Sequence, residues 1–200
     1  AAMSRSLITR FYLVRHGPTH AKTMIGWSDL EADLSDQGTL DRLSAYLPKA
    51  AVVISSDLRR AVATADCLQG PNHMRLAHDP NLRELHFGAW EGQSHAMVDS
   101  HSPKELRAFW EEAGDVAPPL GESWNKMHAR VTQSLRQLAQ GHQGHDIIIV
   151  AHFGAILGMV QYALGCSVQT VFAHKIDNLS ATVLSFNQES WSLEQINLCP

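Results

Sequence analysis

The sequence predicts one α/β domain over residues 1–200, a mostly parallel central sheet with helices on both faces and a helical insertion at approximately residues 85–122. Three observations predict it. Short apolar runs alternate with stretches of helical period. The stretch from 81 to 122 breaks that rhythm with Pro103, Pro118, Pro119 and several Trp and Glu residues. No internal repeat or low-complexity tract suggests another architecture.

Taken in order, "FYLV" at residues 11–14 reads as a buried strand. "LSDQGTLDRLSAYL" reads as a helix with Ser35 as N-cap and Leu40, Leu43 and Leu47 on one face. "AVVISS" is a second strand. "SDLRRAVATADCLQG" is a helix capped by Ser56 or Asp57 and closed by Gly70, with Leu58, Ala61, Val62, Ala65 and Leu68 inward. "MRLAHD" is a weaker third strand. The insertion carries short helical runs such as "SPKELRAFWEEAG" and lies over one end of the sheet. "GESWNKMHARVTQSLRQLAQG" is a long helix stopped by Gly141, "DIIIVAH" a deeply buried strand, and "GAILGMVQYALG" an apolar helix. "ATVLSFNQESWSLEQIN" reads as a hairpin turning at Asn187-Gln188.

Two hundred residues are enough for a sizeable core, and 44% hydrophobic with 18% charged residues is an ordinary globular balance. The net charge of −4 gives no overall basic field for nucleic acid, so an anion site must be local. Cys67, Cys166 and Cys199 form no CxxC pair, which suits a reducing compartment and free thiols. No apolar run spans a membrane, and "AAMSRSLITR" lacks an apolar signal core, so a cytoplasmic protein is expected.

Ligands of open α/β sheets bind beyond the carboxyl ends of the strands. Arg15-His16-Gly17 ends the first strand, Ser55-Ser56 the second and Ala151-His152-Phe153-Gly154 the fourth. Arg60 lies one helical turn past the second strand, and Glu84 follows the third. This topology gathers Arg15, His16, Arg60, Glu84 and His152 at one edge, a local cationic pocket in an acidic chain. Guanidinium forks match phosphate oxygens, and a carboxylate beside them moves protons.

The successive stretches "LVRHGPT", "SSDLRRAVATA", "LRELHFGAWEG", "GES" and "IVAHFGAI" resemble, in order and over nearly the whole chain, the motifs of the histidine phosphatase superfamily. That resemblance implies the phosphoglycerate mutase-like fold, with the insertion over the active site. It also implies a metal-independent phosphatase with no cofactor, acting on a small phosphate monoester; the sequence leaves monomer and homodimer both open. By the resemblance His16 is the nucleophile, Arg15, Arg60 and His152 hold the phosphoryl oxygens, and Glu84 is the acid. Thr19 and Lys22 are further phosphate-binding candidates, Lys22 standing where many members carry Asn. Pro18 replaces the more usual Glu or Gln, and "ADLSDQG" lacks a common proline.

Neighbours on a helix point about 100° apart, so one of Arg59 and Arg60 faces the pocket, and the family spacing selects Arg60. The HxxxH spacing of His16 and His20 raises zinc, but it falls in a loop and lacks the Glu of HExxH. Glu91, Trp90, Trp110 and Trp124 read as packing in the insertion. Glu122-Ser123 fits either the family's Gly-Glu-Ser or a helix start. "HFGAWEG" resembles the phosphatase branch, near α-ribazole and sugar-phosphate phosphatases, more than the mutases, which return the phosphoryl group to a hydroxyl. A binding module without turnover is the alternative of another class.

Overall fold

In the computed structural model, which describes residues 7–200, the first strand is β1 (Thr9–Arg15), followed by α1 (Gln37–Tyr46), β2 (Ala51–Ser55), α2 (Arg59–Leu68) and β3 (His73–Arg75). A 3₁₀ turn, Pro80–Leu82, follows β3, and the stretch read as an insertion holds a second, Gly88–Trp90, then α3 (His95–His101) and α4 (Pro103–Glu111). The chain continues through α5 (Trp124–Gly141), β4 (Asp146–Ala151), α6 (Phe153–Leu164) and the short α7 (Val168–Val171). It ends in the hairpin β5 (Ala181–Phe186) and β6 (Trp191–Leu198). Most of the amino-terminal stretch read for a signal core, residues 1–6, lies outside the described residues.

The strands form one sheet in the order β3-β2-β4-β1-β5-β6. The first four are mutually parallel, and the terminal hairpin adds two antiparallel strands beside β1. Alternation along the central strands sorts side chains to two faces. Ile147 and Ile149 of β4 join Phe11 and Leu13 against Met127, Val131 and Leu135 of α5 and Ile156 and Val160 of α6. Ile148 and Val150 join Val14 and Val53 against Leu40, Leu43, Ala61 and Ala65 of α1 and α2. A strand covered on both faces has to be apolar throughout, which is why "IIIVA" is unbroken. Trp90, Val98, Leu106 and Phe109 of the insertion belong to the α5–α6 core.

Several local expectations are corrected. The N-cap of α1 is Asp36, which accepts from the Thr39 N–H at 3.2 Å; Ser35 is instead bonded to Asp33. Neither Ser56 nor Asp57 caps α2. The Ser56 hydroxyl meets His152, Asp57 takes a two-pronged bond from Arg83, and the Arg59 N–H is accepted by the distant Asp29. Val62 is only half-buried, and Arg60 and Thr64 turn inward with Ala61 and Ala65. Gly141 is the last residue of α5, the cap falling on His142. α3 and α7 have no counterpart in the sequence reading, being too short for periodicity to register.

Candidate active site

Strand register builds the floor of the site. β1 and β4 pair with Arg15 opposite Ala151, so the residues that follow, His16 and His152, leave the sheet side by side. Their ring centroids are 5.0 Å apart. Beyond β2, the Ser56 N–H bonds Val150 at 3.3 Å, and its hydroxyl lies 2.7 Å from His152 Nε2. Three parallel strand ends thus deliver Ser56, His152 and His16 to one line.

The hydrogen bonds of His16 assign its tautomer. Nδ1 lies 2.6 Å from the Gly17 carbonyl, which can only accept, so Nδ1 carries the proton. Nε2 accepts the Nε–H of Arg60 at 3.2 Å and therefore holds a lone pair. Burial pushes the His16 pKa down to about 3; the Gly17 bond opposes that shift, and the charges of Arg60 and Arg15 add to it. His152 is fully buried and is held well below the ordinary imidazole range, first by burial and then by His16 and Arg60. Both rings are neutral at neutral pH.

Arg60 is 1% exposed, whereas the Arg59 side chain is 66% exposed and lies near Asp29 and Glu31. Besides His16, the Arg60 guanidinium donates to the carbonyls of Ser28 (2.7 Å) and Gly26 (2.6 Å). Arg15 donates to the Ile176 carbonyl at 2.7 Å and lies over the Phe153 ring. Burial lowers both pKa values, yet a guanidinium stays protonated in a protein. Among the described residues neither makes a salt bridge. Their charge rests on neutral carbonyls and is free to act on an anion. Among the described residues no group bonds Arg15 Nε or His152 Nδ1, both buried, a condition costing about 1–3 kcal/mol for each group unless a ligand supplies the bond.

Glu84, 8% exposed, closes the other side. Its Oε1 accepts from the Leu85 N–H at 2.9 Å, and Oε2 accepts from the Gly154 N–H at 3.0 Å in the first turn of α6. A Cβ on Gly154 would sit 2.4 Å from Oε1, so the carboxylate occupies space that only glycine leaves. Its main-chain carbonyl accepts from Trp27 Nε1 (2.8 Å) and from Arg130 (2.7 Å). Arg130 also donates to the carbonyls of Asn81 and Arg83, and Glu122 holds it in place while accepting the His86 N–H at 3.0 Å. Glu122 is therefore an anchor of the Glu84 segment.

A cleft of about 120 Å³ is lined by Arg15, His16, Thr19, Ala21, Thr23, Ile25, Arg60 and Glu84, with His152 buried beside His16. Lys22 is exposed and is not among the lining residues. A larger groove of about 470 Å³ lies against α2, by Asp57, Arg59, Val62 and Asp66, but carries neither histidine. His20 is engaged apart from His16: its Nε2 pairs with Asp33 at 2.7 Å. Thr64 and Asn178 were not read from the sequence. Thr64 accepts the Gly17 N–H and donates to Arg60, one turn before it on α2; that i, i+4 spacing is its signal. Asn178 donates to the His16 carbonyl at 2.9 Å from a loop with no local signature. Arg130 lies close to the buried stripe of α5, three residues after Met127, which is the trace it leaves in sequence.

The family model of the histidine phosphatase superfamily (branch 1) matches residues 11–198. A glucosyl-3-phosphoglycerate phosphatase of Mycolicibacterium vanbaalenii is 34% identical over 178 residues, covering 80% of this chain and 76% of its own. A metal-independent phosphoserine phosphatase of Arabidopsis thaliana is 29% identical, covering 94% and 81%. The chain spans about half, 52%, of the length of a bifunctional protein of Mycobacterium tuberculosis to which it is 28% identical. Among solved structures, a mycobacterial glucosyl-3-phosphoglycerate phosphatase in complex with VO3 superposes with a TM-score of 0.82 at 30% identity, covering 94% of this chain and 98% of its own. The α-ribazole phosphatase of Shigella flexneri shares the fold, with a TM-score of 0.79 at 23% identity and coverage of 94% and 96%.

Proposed function

The chain belongs to the histidine phosphatase superfamily, and from that membership and the cleft we propose that it hydrolyses small phosphate monoesters through a phosphohistidine at His16. The observation that carries the reading is the His16 tautomer. Its proton is held on Nδ1 by Gly17 and its lone pair lies on Nε2, the nitrogen that Arg60 touches. An imidazole in that state attacks phosphorus without first losing a proton. The covalent intermediate splits one hard step into two.

In this mechanism the His16 Nε2–P bond forms as the P–O bond to the alcohol breaks. Arg15 and Arg60 carry the charge on the equatorial oxygens, acting in place before the reaction begins. Glu84, on the cleft wall, delivers a proton to the departing oxygen. It then takes one from the water that attacks the phosphohistidine, and inorganic phosphate leaves. Thr19 lines the cleft and offers a hydroxyl to a phosphoryl oxygen.

Rapid quenching during turnover is expected to trap an acid-labile, base-stable phosphoryl group on His16, with inorganic phosphate accumulating in solution. His16→Ala is expected to fall to background, a loss on the scale of the roughly 10⁶-fold seen when a covalent nucleophile is removed. Label on another residue, or none under single-turnover conditions, contradicts the mechanism. Phosphoryl groups recovered on a second hydroxyl compound point instead to transfer.

A further inference from the structure

We infer that Glu91, which the chemistry just described leaves unused, is a positioning residue that sets the phosphate-binding pose of Arg60. The inference rests on the phosphatase reading of the cleft for its consequence in turnover, but its geometry stands apart from it. Arg60 is held from behind by two carbonyls, those of Gly26 and Ser28. A buried loop N–H needs an acceptor, and the planar peptide ties the direction of each carbonyl to that of the next residue's N–H. Here one carboxylate satisfies them. Glu91 Oε1 accepts the N–H of Gly26 at 2.9 Å and of Trp27 at 2.7 Å, and Oε2 accepts the Ser28 hydroxyl at 2.7 Å. The loop 26–28 therefore joins the two side chains, its N–H groups and hydroxyl bonded to Glu91 and its carbonyls to the Arg60 guanidinium.

The fit is close. A Cβ on Gly26 would stand 2.4 Å from Glu91 Oε1 and 2.0 Å from the Leu85 carbonyl, so the loop reaches the carboxylate only through glycine. Two backbone bonds, Met24 N–H to Gln93 and Gly92 N–H to Met24, join the neighbouring segments at 2.9 Å each. Trp27 also donates its indole N–H to the Glu84 carbonyl. Bonds to an ionised acceptor are the strong ones, and here three of them converge on one loop. Without Glu91, the Gly26 and Trp27 N–H groups lose their acceptor and the two carbonyls lose their aim. Arg60 then keeps its charge but not its angle to a bound anion.

The test is a double-mutant cycle on Glu91 and Arg60, read by calorimetric binding of vanadate and of inorganic phosphate and by turnover of nitrophenyl phosphate. Glu91→Ala is expected to weaken vanadate binding and kcat/KM by roughly 10–100-fold, the scale of a misplaced catalytic group. In an Arg60→Ala background the same change is expected to cost less than about 3-fold, because contacting residues are not additive. Glu91→Gln retains an acceptor for the two N–H groups and is expected to recover most of the loss. If Glu91→Ala does not fold, Glu91→Met, close to Glu in volume but without an oxygen acceptor for the two N–H groups, takes its place in the cycle. Equal losses in both backgrounds, or a melting temperature lowered with anion affinity intact, would overturn the inference and leave Glu91 a packing residue. A wild-type protein that binds vanadate but does not turn over would refute the phosphatase reading while the binding cycle still decides on Glu91.

Discussion

The two sides of the cleft are held in place by different means. The floor is a product of the sheet: Arg15 and His16 extend β1, His152 extends β4, and one parallel register sets their spacing. The Glu84 side has no strand beneath it. Glu84 lies between a 3₁₀ turn and irregular chain and is located by single contacts from Arg130, Trp27 and Gly154. Backbone ladders share their load over many bonds, whereas a side-chain clamp is one or two bonds deep. The floor therefore resists distant substitution, and the Glu84 side is open to it.

The largest contrast is expected at Glu84 and its seat. Glu84→Ala should slow phosphoryl transfer from alkyl phosphates by roughly 10²–10⁴-fold, the range of general acid catalysis, and from nitrophenyl phosphate much less. Gly154→Ala leaves Glu84 in the chain but places a methyl in its seat. It should show the same leaving-group dependence at roughly 10–100-fold. Pre-steady-state rates for the two leaving groups provide the check. Equal losses for both would remove Glu84 from the acid role.

The floor is expected to reveal itself by pH. Because the folded protein keeps His16 near a pKa of about 3 while an unfolded imidazole titrates near 6.5, the unfolded chain binds more protons between those values. Stability is unpenalised above pH 6.5 and falls below it, by up to about 1.4 kcal/mol per pH unit for a histidine so buried. His152 acts in the same direction. Urea unfolding at pH 7.5 and 5 should show a lower midpoint in acid. Nitrogen NMR should show His16 still as the neutral Nδ1–H tautomer at pH 5. A His16 resonance titrating near 6.5 would mean a floor far wetter than this one.

The smallest effects mark the rim. Lys22→Ala and Arg59→Ala remove exposed charges and should change kcat/KM by less than about 3-fold, in keeping with the small worth of exposed charges. Arg60→Ala should cost far more. A large loss at Lys22 would extend the anion site outward past Thr19.

How much of this was legible follows the same division. "FYLVRHG" and "IIIVAHFG" announce buried strands that end in polar chemistry, and the parallel sheet they imply is the one observed. The insertion offered no comparable rhythm, and its clamps join residues such as Glu91 to Gly26 and Arg130 to Glu84 across separations of 65 and 46 positions. Helix caps misled for a related reason. Ser56 and Asp57 have the right chemistry to cap α2 but are engaged by His152 and Arg83, partners no local window contains.

The sequence by itself determined the strand ends and their chemistry, because burial on both faces demands unbroken apolar runs and a change to Arg-His or His marks where the core stops. It also carried the choice between Arg59 and Arg60 to a single alternative, since helical geometry lets only one of them face inward. What the tertiary structure alone decided was aim: which nitrogen of His16 holds its lone pair, where Glu84 is seated and what holds Arg60 at its angle. Those outcomes depend on hydrogen bonds between atoms far apart in the chain, and periodicity and propensity describe only neighbours.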